Sequence, residues 1–301
     1  MSKAVNFIDI GANLTDAMYS GIYNGSTKHP NDLINVLKRS WDSGLQKIII
    51  TGGSLSESRS ALDLAGTDAR LFSTVGCHPT RCSEFEANGT DPNTYFDSLK
   101  QLIQDGGQKV VAIGECGLDY DSLQFCAKDL QKKYFEKQLS LSKDHNLPVF
   151  LHCRNAAEDL QEILQNYAGL RGVVHSFDGS VQEAAKFLSM GYYIGLNGCS
   201  LKTAENLATI KSIPQDRILL ETDCPWCEIR ATHAGYQFIA RAHVMPSVKK
   251  EKWTCDAVVK GRNEPTNIRH VLDVIAAVRE EDPNELGEII YQNTLNLFFN
   301  K

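Results

Sequence analysis

No run of apolar residues in this 301-residue chain approaches the roughly 20 that a membrane-spanning helix requires, and the opening Met1-Ser2-Lys3-Ala4-Val5-Asn6 has no apolar signal core. A soluble, intracellular protein with no membrane partner is the expectation. Positive charge is not in surplus either: 31 basic against 37 acidic residues leave a formal charge of -6. That excludes a global basic field for coating nucleic acid, so any polyanion must be held locally. Disulfide spacing is also missing. Nine cysteines, an odd count at irregular intervals, fit reduced thiols better than a cross-linked framework. Cys77, Cys116, Cys153, Cys199 and Cys224 lie in or just after apolar runs and read as small packing residues. Cys224-Pro225-Trp226-Cys227 is formally a Cys-x-x-Cys. A thioredoxin-like role wants that pair at the start of a helix in a small βαβ domain, whereas here it follows the last strand of a long array. There is no Pro- or Ser-rich linker and no low-complexity tract, and 42% hydrophobic content can fill one substantial core. Residues 1–301 are therefore expected to form a single domain.

What is present is one pattern repeated. Val110-Val111-Ala112-Ile113-Gly114 is an apolar, β-branched run that ends in Glu115 between glycines, the signature of a buried strand delivering a carboxylate to an open rim. Pro148-Val149-Phe150-Leu151 delivers His152 in the same way, Gly172-Val173-Val174 delivers His175, and Ile218-Leu219-Leu220-Glu221-Thr222 delivers Asp223. Further strands read as Val5–Ile10, Lys47–Thr51, Leu71–Gly76 and Tyr192–Leu196. Eight strands thus begin near residues 5, 47, 71, 109, 148, 172, 192 and 217, each followed by helical periodicity or a loop long enough to contain a helix. Two more helices are expected near Glu264 to Val278 and Pro283 to Phe298. Near-continuous apolar strands alternating with helices argue for a parallel sheet, and eight of them argue for a closed (β/α)8 TIM barrel with extra C-terminal helices. An open doubly wound sheet would place its ligand at one switch point instead of collecting residues from many strand ends.

Barrel closure brings strand ends within reach of a common centre. Glu115, His152, His175 and Asp223 then form a mixed set of two carboxylates and two imidazoles on a rim open to water, which is the chemistry of a catalytic metal site. A divalent cation is the implied cofactor, with one or two ions per site: Mg2+ foremost, Mn2+ or Zn2+ as alternatives. Asp223 is the candidate to orient and deprotonate a bound water, and Glu115 to bind one ion or bridge two. His78, after the third strand, suits donation to a phosphate oxygen or a leaving group. Arg154, two residues beyond His152, suits a phosphate clamp because its planar fork matches phosphate oxygens.

The motifs Gly114-Glu115-Cys116-Gly117-Leu118-Asp119, Leu151-His152-Cys153-Arg154, Val174-His175-Ser176-Phe177, Asn197-Gly198, Glu221-Thr222-Asp223-Cys224-Pro225-Trp226 and Arg262-Asn263-Glu264-Pro265 resemble the TatD-type metal-dependent deoxyribonucleases. Phe7-Ile8-Asp9-Ile10-Gly11-Ala12-Asn13-Leu14-Thr15-Asp16 resembles the same family, so nearly the whole chain takes part. The resemblance implies an amidohydrolase-like barrel and metal-dependent hydrolysis of DNA phosphodiesters, commonly as a 3′ to 5′ exonuclease on single-stranded or frayed ends. It also implies that Glu115, His152, His175 and Asp223 are the metal ligands, with His78, Arg154 and Asn197 near the substrate. Kinship further tilts the expected location toward nucleus and cytoplasm. Many relatives carry Asp-x-His-x-His on the first strand to hold a second ion. Here those positions read Asp9, Gly11 and Asn13, and both imidazoles are absent.

The local basic surface that a nuclease needs is expected in the loop after the last strand. Lys249, Lys250, Lys252, Lys260 and Arg262 surround Trp253, whose ring is the candidate base-stacking face. Two other functions remain open to the same residues: a metal-dependent hydrolase of small esters or amides, and a noncatalytic metal-binding protein.

Overall fold

The structure is a computed structural model that describes residues 5–89 and 91–300. Eight strands make one sheet in consecutive order: β1 (Phe7–Ala12), β2 (Leu45–Ile50), β3 (Leu71–Val75), β4 (Val110–Asp119), β5 (Val149–Arg154), β6 (Gly172–Val174), β7 (Tyr193–Leu196) and β8 (Ile218–Leu220). Neighbours from β3 to β7 pair in parallel. Ala12 at the end of β1 bridges in parallel to Cys224 just beyond β8, so the ends of the series rejoin. Strand and helix alternate: α1 (Leu33–Asp42), α2 (Leu55–Ala65), α3 (Pro92–Gly106), α4 (Lys128–His145), α5 (Ala157–Gln165), α6 (Val181–Ser189) and α7 (Ala204–Ser212) separate the strands, and α8 (Ile268–Arg279) and α9 (Pro283–Phe298) follow β8. This is the (β/α)8 topology that the apolar runs predict. The runs become strands because β-branched residues buried on both faces suit a covered parallel sheet; Ile48, Ile49, Ile50, Ile113, Val149, Val173 and Val174 are all fully buried.

Chain contacts resolve into two compact units. The first comprises the described residues of Met1–Ile48, Ser176–Ala184 and Gly195–Thr294. Its interior holds an ion network. Arg262 donates to both carboxylate oxygens of Asp32 at 2.7 Å and to Glu264 at 2.8 Å, while Arg39 makes a forked pair with Glu264 at 2.9 and 3.1 Å. The side chains of Arg262, Asp32 and Glu264 are fully buried. Two guanidinium groups against two carboxylates balance, which is what makes such burial tolerable. The Trp253 indole N–H also donates to Asp32 at 2.9 Å, and its ring stacks on His29 with centroids 5.7 Å apart.

The second unit comprises Ile49–His175, Ala185–Ile194 and the described residues of Leu295–Lys301. Its strands are tied to α4 by two fully buried glutamines. Gln138 accepts from the Cys77 N–H at 2.7 Å and donates to the Cys77 carbonyl at 3.0 Å, which holds the end of β3. Gln131 does the same for Asp119 at 2.8 and 2.9 Å, which holds the end of β4.

Arg262→Ala removes a fully buried partner and leaves Asp32 uncompensated, so the unfolding free energy should fall by about 3–5 kcal/mol. Urea titration followed by tryptophan fluorescence measures this, and an unchanged midpoint would contradict the role given to the network.

Candidate metal centre

Glu115 sits where β4 departs from regular pairing: its register to β5 shifts between Ile113 and Cys116. A bulge re-aims a side chain that strict alternation would place elsewhere. Gly114 permits it. With φ at +143° it lies where L side chains are strained, and a Cβ there would meet the Phe150 carbonyl oxygen at 2.3 Å.

Around Glu115 three imidazoles converge on one atom. His152 Nδ1 and His175 Nε2 each lie 2.7 Å from Glu115 Oε1, and His78 Nε2 lies 3.4 Å from it. His152 reaches the site as the fourth residue of β5, and His175 directly follows β6 with its ring stacked on Phe150 at 4.4 Å. His78 follows β3, its N–H donating to the Gly53 carbonyl at 2.9 Å. The Thr80 backbone N–H donates to His78 Nδ1 at 3.2 Å. Nδ1 is therefore the acceptor in the neutral ring, and Nε2, facing the site, carries the hydrogen.

The electrostatics follow from this crowding. Burial works against the Glu115 charge, but His175, His78 and the bonds from His152 outweigh it and hold the carboxyl well below its ordinary range. For His152 burial opposes the charge too, yet Asp119 and Glu115 win and its pKa rises. Burial dominates at His78 and lowers it, which favours the neutral donor. His152 Nε2 is buried, with Asp119 Oδ2 3.3 Å away as its charge partner. Two overlapping donor sets result: Glu115, His152 and His175, and His78, Asp119 and His152. A set of imidazole nitrogens and carboxylate oxygens gathered at this spacing fits a divalent cation of hard-to-borderline character.

Asp223 belongs to the first unit, three residues past β8, at φ +51°. A non-glycine residue held there costs of order 1–3 kcal/mol and persists only where its surroundings over-determine it. They do: its N–H donates to the Gly11 carbonyl at 2.8 Å, Asn13 Nδ2 donates to Oδ1 at 3.0 Å, and Cys227 Sγ donates to Oδ2 at 3.1 Å. Next door, Thr222 donates through both backbone and hydroxyl to the fully buried Asp9, whose pKa burial pushes up to about 8.

The sequence matches the model of the family described as TatD related DNase over residues 8–299. The chain belongs to this family. It is an enzyme of the hydrolase class. It is 43% identical over 300 residues to a protein of Schizosaccharomyces pombe named "Deoxyribonuclease Tat-D", covering 98% of this chain and 96% of that one. A Pantoea protein named "3'-5' ssDNA/RNA exonuclease TatD" is 33% identical over 296 residues, covering 96% and 98%. The crystal structure of a TatD family hydrolase from Entamoeba histolytica superposes with a TM-score of 0.93 at 38% identity, covering all of both chains.

Of the TatD-type site residues expected from the sequence, the second unit brings together Glu115, His152, His175 and His78, and Arg154 ends the same strand as His152. Three other expectations meet different geometry. Asn197 is fully buried: its amide donates to Ser176 Oγ at 3.0 Å and its carbonyl oxygen accepts from the Cys199 N–H at 2.8 Å. It is a positioning residue for the strand ends, because those bonds leave it no surface for substrate. Trp253 is turned inward onto His29 and Asp32, and Arg262 is buried in the ion network, so neither belongs to an exposed basic loop. An exposed aromatic stands elsewhere. Trp226 is 50% exposed and shares a cavity with Tyr23, Lys250 and Lys260. Gln131 and Gln138 escape notice in the sequence, and Asp119 enters it only as the last residue of the Glu115 motif, with no role assigned. The one available signal is two glutamines seven residues apart on the apolar face of α4.

Metal binding needs the lone pairs that protons occupy, and the raised His152 pKa places that competition above the ordinary value near 6.5. Mn2+ affinity measured by titration calorimetry should therefore rise with pH through that range and then level off. Asp119→Asn removes the main group holding His152 up, so the inflection should move to lower pH while the plateau affinity drops about 10–100-fold. A pH-independent affinity, or no effect of this substitution, would contradict the assignment.

Proposed function

We propose that this enzyme is a divalent-metal-dependent deoxyribonuclease that hydrolyses DNA phosphodiester bonds, acting as a 3′ to 5′ exonuclease on single-stranded or frayed ends. The observation that carries the reading is the convergence of three imidazole nitrogens on Glu115 Oε1 in a chain of this family. The names of the S. pombe and Pantoea relatives support the substrate class and the polarity. Residues 1–301 are taken as one catalytic domain, supported by a family match from 8 to 299.

In this reading Glu115, His152, His175 and Asp223 hold the ion. When bound, a divalent cation lowers the pKa of a coordinated water and offsets charge on the phosphoryl oxygens. Asp223 orients the attacking water and takes its proton. The neutral His78 offers its Nε2–H to the oxygen on which charge develops as the ester bond breaks. Arg154 clamps a non-bridging oxygen through its planar fork. Lys249, Lys250 and Lys260 track the strand's phosphates, and Trp226 takes the stacking role expected of Trp253, since its ring is exposed beside Lys250 and Lys260.

The test uses 5′- and 3′-labelled single- and double-stranded DNA with Mg2+, with Mn2+ and with chelator, alongside a Glu115→Ala, Asp223→Asn double variant. A metal-dependent ladder that falls by more than about 100-fold in the variant is the expected outcome, and the label gives the polarity. Equal cleavage by both proteins would mean contamination. Turnover confined to generic esters would point to a small-molecule hydrolase. For the binding surface, charge reversal at Lys249, Lys250 and Lys252 should weaken single-stranded DNA binding in chelator. It should also flatten the salt dependence by about 0.7 in slope for each phosphate that is no longer neutralised; an unchanged slope would remove this loop from the site.

A further inference from the structure

Cys199 and Cys227 are 28 residues apart in the chain, yet their Sγ atoms stand 2.9 Å from one another, against ~2.05 Å in a disulfide bond. Both are partly exposed. The approach is built into the backbone. Gly198 has no Cβ, and one placed there would lie 1.9 Å from the Cys227 carbonyl oxygen, so the turn after β7 and the segment after β8 pack main chain against main chain. Asn197 caps the first of these by accepting from the Cys199 N–H at 2.8 Å, and Cys227 is held at φ +54° in the second. The Cys-x-x-Cys partner, Cys224, is fully buried, so the geometry couples Cys227 to a distant cysteine and not to the local one. Cys227 Sγ also donates to Asp223 Oδ2 at 3.1 Å.

We propose that Cys199 and Cys227 form an oxidisable dithiol, a modification site whose conversion to a disulfide lowers the enzyme's activity. With hydrogen peroxide as oxidant, one sulfur attacks a peroxide oxygen, the O–O bond breaks, and a sulfenic acid and one water form. The second sulfur then attacks the sulfenic sulfur, the S–S bond forms, and a second water leaves. The sulfur pair is oxidised by two electrons, peroxide is reduced, and both thiol protons end in water. A dithiol reductant reverses the change by exchange. The disulfide removes the S–H donor from Asp223 and ties its segment to the turn after β7. The effect on activity rests on the nuclease reading and on Asp223 as a ligand; the disulfide itself does not.

The experiment uses the full-length chain with Cys255→Ser, because Cys255 is exposed and would cross-link between molecules. Protein is treated with hydrogen peroxide, alkylated, and analysed by intact mass and peptide mapping. DNA cleavage is followed before oxidation, after it, and after dithiothreitol. The expected result is a loss of two hydrogens, a linked peptide joining Cys199 to Cys227, and a several-fold fall in rate that dithiothreitol restores. Cys199→Ser should keep its starting rate, form no such peptide and resist the oxidant. The proposal is overturned if both thiols remain alkylatable, if Cys227 links to Cys224, if the link leaves the rate unchanged, or if Cys199→Ser loses activity equally. Should the untreated protein show no cleavage, the nuclease reading fails, while mass and alkylation still decide whether the dithiol exists.

Discussion

A single carboxylate oxygen facing three imidazole nitrogens is a demanding arrangement. Oxygen has lone pairs for two good hydrogen bonds, and His78 Nε2 and His152 Nδ1, 3.3 Å apart, compete for the same space. His78 and His152 each face this carboxylate oxygen with an N–H, and they crowd those hydrogens into the same space. A metal-binding rim has this character: several ligand-type groups gather on one point, where a cation can take the place of protons. The rest of the second unit keeps them there. The bulge in β4 aims Glu115, Phe150 stacks on His175, and Gln138 and Gln131 fasten the two strand ends from which His78 and Asp119 emerge. Each glutamine satisfies both the donor and the acceptor of one peptide group. A hydrophobic residue in its place would leave buried backbone polar atoms unpaired.

The first unit solves a parallel problem for Asp223. Its left-handed backbone is maintained by bonds from β1 and from its own loop, and the neighbouring segments are fastened in turn. Asn263 donates to the Thr222 carbonyl at 2.9 Å, while Glu221 accepts from the Ser176 N–H. The Arg262-Asn263-Glu264-Pro265 motif thus serves as a buckle. Its charged members balance Asp32 and Arg39 inside the unit, and its asparagine reaches the residue before Asp223. A conspicuous cluster of charge in a sequence need not be a surface.

How much of this is legible in the sequence follows from the range of the interactions involved. The strands are readable because burial on both faces writes itself as a local run of β-branched residues, and each run that ends in Glu115, His152 or His175 leads to the centre. Barrel order follows from alternation alone. Polar residues whose partners lie far along the chain are not readable. Trp253 and Lys250 sit three residues apart and look alike as nucleic-acid contacts, but an indole N–H that finds the buried Asp32, 221 residues away, turns inward. Distant partners hide the roles of Asn197 and Arg262 in the same way. The Cys199–Cys227 pair is hidden because the eye is drawn to Cys224, three residues from Cys227, whereas the approach depends on Gly198 admitting a distant carbonyl.

The first strand and the residue after it hold Asp223 by hydrogen bonds. An imidazole at position 13 would offer a lone pair to an ion. Asn13 offers N–H bonds instead, one to Asp223 Oδ1 and one to the Cys224 carbonyl at 3.1 Å. An amide donating to a carboxylate raises no positive-charge demand; it orients the acceptor and leaves that acceptor's remaining lone pairs to bind. Gly11 contributes only its backbone, donating to Asp9 and accepting from Asp223. β1 and the residue after it thus support Asp223 and the segment that carries it. Within the second unit Asp119 Oδ2 lies 3.3 Å from His152 Nε2, the nitrogen turned away from Glu115, while His78 Nε2 lies 3.3 Å from Nδ1, the nitrogen that faces it. His78, whose Nδ1 accepts from the Thr80 N–H and whose Nε2 carries the hydrogen, is placed to donate and not to ligate.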